Sequence, residues 1–116
     1  MIADTTPLAI TISASPATLR PPNGQLFPVT VSGTIKDELG GSWVQTSTYR
    51  VIDEYGQSQP SGSVTLVDGQ YTFTVALEAS RRGNDSDGRH YTIAVSAKDN
   101  LGNPGLKSTL VTVPHG

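Results

Sequence analysis

Tyr91 to Lys98 alternate without a break. Tyr91, Ile93, Val95 and Ala97 share one side of an extended chain, and Thr92, Ala94, Ser96 and Lys98 share the other. A side-chain period of two belongs to a β-strand with one face in a core and one in water. A helix cannot gather those residues into a single stripe. The wider stretch Arg82–Asn103 adds a turn-rich loop before the strand and a second turn after it. It reads as the central strand of a sandwich with the other strands packed around it.

The rest of the chain repeats the pattern. Leu8, Ile10 and Ile12 give a first strand near 8–15, ended by Pro16. Ser15–Gly24 carries Pro16, Pro21, Pro22 and a glycine, so it cannot hold a ladder and reads as a fixed loop with Leu19 tucked inward. Phe27, Val29, Val31 and Ile35 give a second strand near 26–36, where Pro28 implies an edge or a late start to the pairing. Asp37–Gly41 is a turn. Trp43–Asp53 is a third strand with Trp43, Tyr49 and Val51 on one face, and Gln45 and Ser47 interrupt that face as a bulge would. A loop follows, then a short strand holding Val64 and Leu66. Asp68-Gly69 reads as a tight hairpin turn into a fifth strand bearing Tyr71, Phe73, Val75, Leu77 and Ala79. After the central strand, Asp99–Gly105 is a turn, and Leu110, Val111 and Val113 mark a last strand ended by Pro114.

About seven strands with frequent turns and no helical period predict an all-β, antiparallel, immunoglobulin-like β-sandwich. The 116 residues suit one core. We expect a lead-in or linker over 1–7, the sandwich over 8–114 and the end of the domain at 115–116. Met1–Pro7 has neither a basic nor an apolar segment, so it does not read as a signal peptide; an excised module is expected. The formal net charge of -2, with scattered basic residues, argues against nucleic acid as a partner. No apolar run reaches membrane-spanning length, so no membrane insertion is expected. The chain has no cysteine, hence no disulfide and no thiolate metal site.

The residues Asp87, Tyr91 and Ile93 carry a resemblance. In immunoglobulin-type domains an Asp stands four residues before a Tyr, and a Cys follows two residues after it. That Tyr makes a corner by bonding back to upstream backbone. Here Ile93 stands where the Cys would be, and Trp43 follows Val31 by twelve residues, near the spacing to the third-strand Trp. A closer resemblance is to bacterial immunoglobulin-like, or hyalin-repeat-like, modules of secreted and surface multidomain proteins. It rests on Ser15-Pro16-Ala17-Thr18-Leu19-Arg20-Pro21-Pro22-Asn23, with Arg20 where those modules have Trp. It rests also on Arg82-Gly83 followed by Gly88-Arg89-His90-Tyr91, on Ala97-Lys98-Asp99-Asn100-Leu101-Gly102-Asn103, and on Val111-Thr112-Val113-Pro114-His115. The resemblance implies a non-catalytic accessory module, secreted or at the cell surface, that spaces or docks neighbouring domains of a longer chain. It implies a structural role for Tyr91, Asp87, Ile93 and Trp43, with Arg82 and Arg89 in the loop they anchor.

In that strand order Asp37–Gly41, Asp68-Gly69 and Asp99–Gly105 share one pole, and Ser15–Gly24, Glu54–Ser61 and Ser80–Arg89 share the other. Calcium is the candidate cofactor. Asp85 and Asp87 sit in an oxygen-rich turn that Asp53 and Glu54 could approach, and Asp37 and Asp99 offer a second set. Against this, Arg81, Arg82 and Arg89 crowd the first set, and the arginines could instead pair with Asp53, Glu54 or Asp85. A polysaccharide is the candidate partner. Tyr55, with Gln57 and Gln59, is the best loop aromatic, whereas Trp43, Tyr49 and Tyr71 share faces with core residues. An intramolecular isopeptide bond would need a buried lysine among Lys36, Lys98 and Lys107. His90 and His115 have no nucleophile at a recognisable spacing, so no catalysis is expected.

Overall fold

In the computed structural model, Arg89–Asp99 (β7) runs between Val44–Asp53 (β4) and Pro104–Val113 (β8), antiparallel to both. Tyr91 stands opposite Asp53 on one side and Val111 on the other. The structure describes residues 9–19, 24–36, 44–57, 59–67, 69–80, 88–99 and 104–114, with only the backbone at 44, 45 and 99. The central-strand reading therefore holds within this sheet. Tyr91, Ile93 and Val95 are fully buried, while Ser96 and Lys98 are exposed.

The remaining strands are Ala9–Ile10 (β1), Ser13–Ser15 (β2), Leu26–Lys36 (β3), Ser61–Ser63 (β5) and Gln70–Glu78 (β6). One sheet has β1 and β2 along one side of β3 and β6 along the other; the second runs β5-β4-β7-β8. Every strand pair is antiparallel. The fold is an all-β sandwich. Its division of strands between sheets follows the immunoglobulin-like order, except that β5 joins β4 rather than β6.

The core lies where the inner faces meet. Val29, Val31 and Leu77 come from one sheet and Val51, Ile93 and Val111 from the other, each at most 1% exposed. Burial of a branched aliphatic side chain contributes roughly 1.5–3 kcal/mol relative to exposure. Ile93 and Val31 are both fully buried members of this apolar core. Leu19 does turn inward, at 1% exposed.

Four boundaries differ from the sequence reading. The first strand breaks into β1 and β2 because the Thr11 carbonyl turns toward the sheet. It accepts the Tyr71 hydroxyl at 2.7 Å. Gly33 permits this approach, since a Cβ there would lie 1.9 Å from that oxygen. The short strand falls at Ser61–Ser63, not at Val64 and Leu66, and pairs with β4. Gly62 sits opposite Tyr49 and leaves room for its ring, which a Cβ would approach to 3.0 Å. The chain then crosses between sheets: the Val64 amide donates to Ser47 at 3.0 Å, and Val67 and Gln70 form an isolated bridge. The hairpin at Gly69 (φ 76°) therefore closes one bridged pair rather than a strand. Finally, Pro104 and Gly105 belong to β8, not to the preceding turn, because a strand's first residue tolerates proline. The expected bulge in β4 is present as a register shift between Val44 and Thr46.

Candidate functional site

Among the described residues, two inward positions carry charge instead of hydrocarbon. Asp53 continues the inward phase of Tyr49 and Val51 at the end of β4, and Arg89 opens the inward phase of Tyr91 and Ile93 at the start of β7. They are 3% and 0% exposed. Burying either alone would be costly, so the fold gives each a partner. Arg89 Nε donates to Asp53 Oδ1 at 2.9 Å, and Arg89 Nη2 donates to Asp53 Oδ2. This two-point geometry suits a planar guanidinium against a carboxylate.

The neighbours complete the cluster. Arg89 Nη1 donates to the Ser80 carbonyl at 3.2 Å and to Ser80 Oγ at 3.1 Å, and Ser80 Oγ donates to Glu78 Oε1 at 2.7 Å. The guanidinium carbon lies 4.6 Å from the Tyr55 ring centroid and 4.8 Å from that of Tyr91, within cation–π range. Burial opposes the positive charge, but the hydrogen bonds and charge of Asp53 outweigh it and hold the Arg89 pKa above its ordinary value. The Tyr91 hydroxyl donates to the Glu78 carbonyl at 2.7 Å. Burial pushes the Tyr91 phenol up to about 12. No buried side-chain polar atom among the described residues lacks a hydrogen-bond partner.

The loop after β4 folds over the same carboxylate. Asp53 Oδ1 accepts the Tyr55 amide at 3.0 Å, and Oδ2 accepts the Gln57 amide at 3.0 Å. An Asp that bonds backbone two residues on builds a turn around itself. Gly56 (φ 70°) supplies the left-handed step, and its amide donates to the Asp53 carbonyl at 2.9 Å. Gln59 Oε1 accepts the Asp53 amide at 3.3 Å. Glu54 Oε1 accepts the His90 amide at 3.0 Å and lies 3.4 Å from His90 Nδ1.

This geometry reassigns several sequence candidates. Asp53 offers both oxygens to Arg89 and to backbone amides, so a calcium ion would have to displace the guanidinium. Glu54 is turned to His90 instead of joining Asp53 on a common cation. Among the described residues, no group of three or more His, Cys, Asp or Glu side chains is placed to hold a metal. Asp37, Asp85, Asp87, Arg82 and Trp43 lie outside the described residues, as does the Asp99 side chain. Tyr55 is half-buried and covers Arg89, so it is not the open platform expected for a sugar. Gln57 and Gln59 are exposed, but the Gln57 backbone amide and the Gln59 side-chain oxygen bond Asp53 and hold the loop. Tyr49 stacks on Phe73 at 4.2 Å and 18°, and Tyr71 is 4% exposed, so both serve the interior. Lys36, Lys98 and Lys107 are exposed, which removes the buried lysine an isopeptide bond requires.

The sequence allowed this buried pair among several arginine–acid combinations without singling it out. Asp53 and Arg89 are 36 residues apart, but both fall in the inward phase of their strands. A charge at an inward position near a strand end signals a partner across the sheet. The outer face of the second sheet carries the exposed Ile52, Leu106 and Leu110, and Ile52 and Leu106 line, with Arg50 and Ala94, a shallow open hollow of about 700 Å³. No protein-family model matches the sequence, and no curated protein matches it.

Proposed function

We propose that the chain is a non-catalytic immunoglobulin-like accessory module of an extracellular bacterial protein, spacing or docking neighbouring domains. The observation that carries this reading is the path of the chain through the sandwich. Ala9 enters beside Lys36 at one pole, and Val113 leaves beside Arg89 at the other. A ten-residue strand such as β8 rises about 30 Å, so each module would hold its neighbours roughly that far apart. The motif resemblance in the loops and the last strand supplies the extracellular and bacterial parts of the reading. The polar cluster at the exit pole supports a structural role, since its groups are turned on one another.

The test is a protein with two copies of the chain in tandem, measured by small-angle scattering against one copy. An elongated particle, longer by about one module, supports a spacer. A particle folded back to the length of one module would sink it. The same samples are melted with and without calcium and a glycan panel. A rise in melting temperature with calcium, or with one glycan, would replace the spacer with a ligand module.

A further inference from the structure

The open edges of the two sheets are guarded unequally. Backbone N–H and C=O groups of an antiparallel strand leave it on alternate sides from one residue to the next. In β3 the Thr34 carbonyl accepts from Thr11, and the Ile35 amide donates to Gly69. Even-numbered residues of β3 therefore face β2, and Pro28 places its missing N–H on the side that β2 no longer covers beyond Ser15. On β4, β5 covers Thr48 to Arg50, and the Val51 amide is taken by the Pro60 carbonyl. On β8, Ala17 and Leu19 bond both backbone groups of Thr112, and the strand carries Pro104 and Lys107. Prolines, lysines and short covering strands are the usual ways of blunting an edge.

Among the described residues, the free side of β6 carries none of these devices between its ends. Val67 bonds both backbone groups of Gln70, and the Glu78 carbonyl accepts the Tyr91 hydroxyl. Both contacts lie away from β3, so even-numbered residues of β6 face outward. The N–H and C=O groups of Thr72, Thr74 and Ala76 point the same way and pair with no strand among the described residues. All three side chains are exposed, and β6 keeps an unbroken register with β3 over nine residue pairs, so no bulge turns the edge aside.

We propose that this edge, Thr72–Ala76, takes up β6 of a second copy of the chain as an added antiparallel strand. The edge is its own complement. With the two-fold axis at Thr74, Thr74 meets Thr74, Thr72 meets Ala76 and Phe73 meets Val75. No charged residue faces a like charge, and the nearest acid, Glu78, falls at the level of Gln70 of the copy. Outward-facing residues then oppose outward-facing residues, which is the geometry of a hydrogen-bonded pair. Threonine pairs across antiparallel strands are favourable. The bridge at Val67 sets the length of the added ladder, because it already occupies Gln70.

The test follows native chain by analytical ultracentrifugation and by site-resolved amide hydrogen exchange from about 20 µM to about 1 mM, a range suited to a small interface. The expected result is a dimer at the upper end. Exchange at Thr72, Thr74 and Ala76 should slow by about tenfold as the dimer fills. Thr74→Lys should weaken the dimer by about tenfold or more, since it sets like charges opposite each other, while Thr74→Val should retain it. Both side chains point to solvent, so melting curves of the variants should match the parent at low concentration. Leu106→Lys, on the outer face of the other sheet, should leave the dimer intact. Monomer throughout the range would overturn the proposal. So would a dimer indifferent to Thr74→Lys, or one whose slowed amides lie elsewhere.

Discussion

The middle of the sandwich and the Asp53–Arg89 pair at its pole are equally buried but differently constructed. In the middle, Val31, Val51, Ile93 and Val111 meet as hydrocarbon, and each contributes through the volume it fills. At the pole, Asp53, Arg89, Tyr55, Tyr91 and Ser80 meet as paired polar groups, and each contributes through the partner it satisfies. Core packing degrades gradually as methyl groups are removed. A polar cluster fails abruptly, because deleting one member strands another. The pole therefore determines where the loops close, and the middle supplies most of the cohesion.

The largest expected effect tests that asymmetry. Asp53→Asn leaves Arg89 charged and buried without its counter-ion and should destabilise the fold by about 3–5 kcal/mol. Asp53→Asn combined with Arg89→Met, which removes the buried charge while keeping a side-chain oxygen for the loop amides, should cost less than Asp53→Asn alone, as measured by urea denaturation in a double-mutant cycle that includes Arg89→Met. A double variant as unstable as the sum of its parts would erase the distinction between pole and core.

Next in size is Tyr91→Phe, which removes the donor to the Glu78 carbonyl and should cost about 1–2 kcal/mol. An unchanged melting curve would show that this hydroxyl does not hold the corner. The same variant alters the response to alkali. The phenols of Tyr71 and Tyr91 are both raised by burial to about 12 in the fold, against about 10 in an unfolded chain. A pKa raised by folding means that the folded state holds its proton more tightly. The stability is thus fully present below pH 10 and drains away as pH rises toward 12, by on the order of 2 kcal/mol for each phenol. Tyr91→Phe should lose only the share belonging to Tyr71. The smallest effect is expected in the middle, where Ile93→Val removes one methylene and should cost about 1 kcal/mol by chemical denaturation.

The same contrast explains what could be read before the structure. The sandwich was legible because Tyr91 to Lys98 and Tyr71 to Ala79 alternate strictly, and alternation reports burial directly. The bulge in β4 was legible because Gln45 and Ser47 break that phase. β5 was not, because Ser61-Gly62-Ser63 has little side chain to pattern; what places it is the Tyr49 ring lying against Gly62. At the pole, the arginine–acid pairing was one of several combinations the sequence allowed. The distance between Asp53 and Arg89 along the chain hid which acid would meet which base. The role of Tyr55 was hidden for a related reason. Its loop bends back through the Asp53 carboxylate, and the folded loop sets the ring over a guanidinium that no local pattern reveals.

One feature of the first sheet also bears on the order in which the molecule can assemble. After β2 the chain leaves β3, and Thr18 makes a parallel bridge to Thr112 in the last strand. A segment near the start of the chain thus finds its hydrogen-bonding partner only in β8, across nearly the whole sequence. Contacts so distant close late, because the intervening loop must first be ordered. During synthesis from the N-terminus, the pairing of β3 with β6 and of β4 with β7 can form while Ala17–Leu19 still waits. Emergence of β8 then seats Leu19 and completes the second sheet together, so the final strand of the sandwich is also the clasp of its first loop.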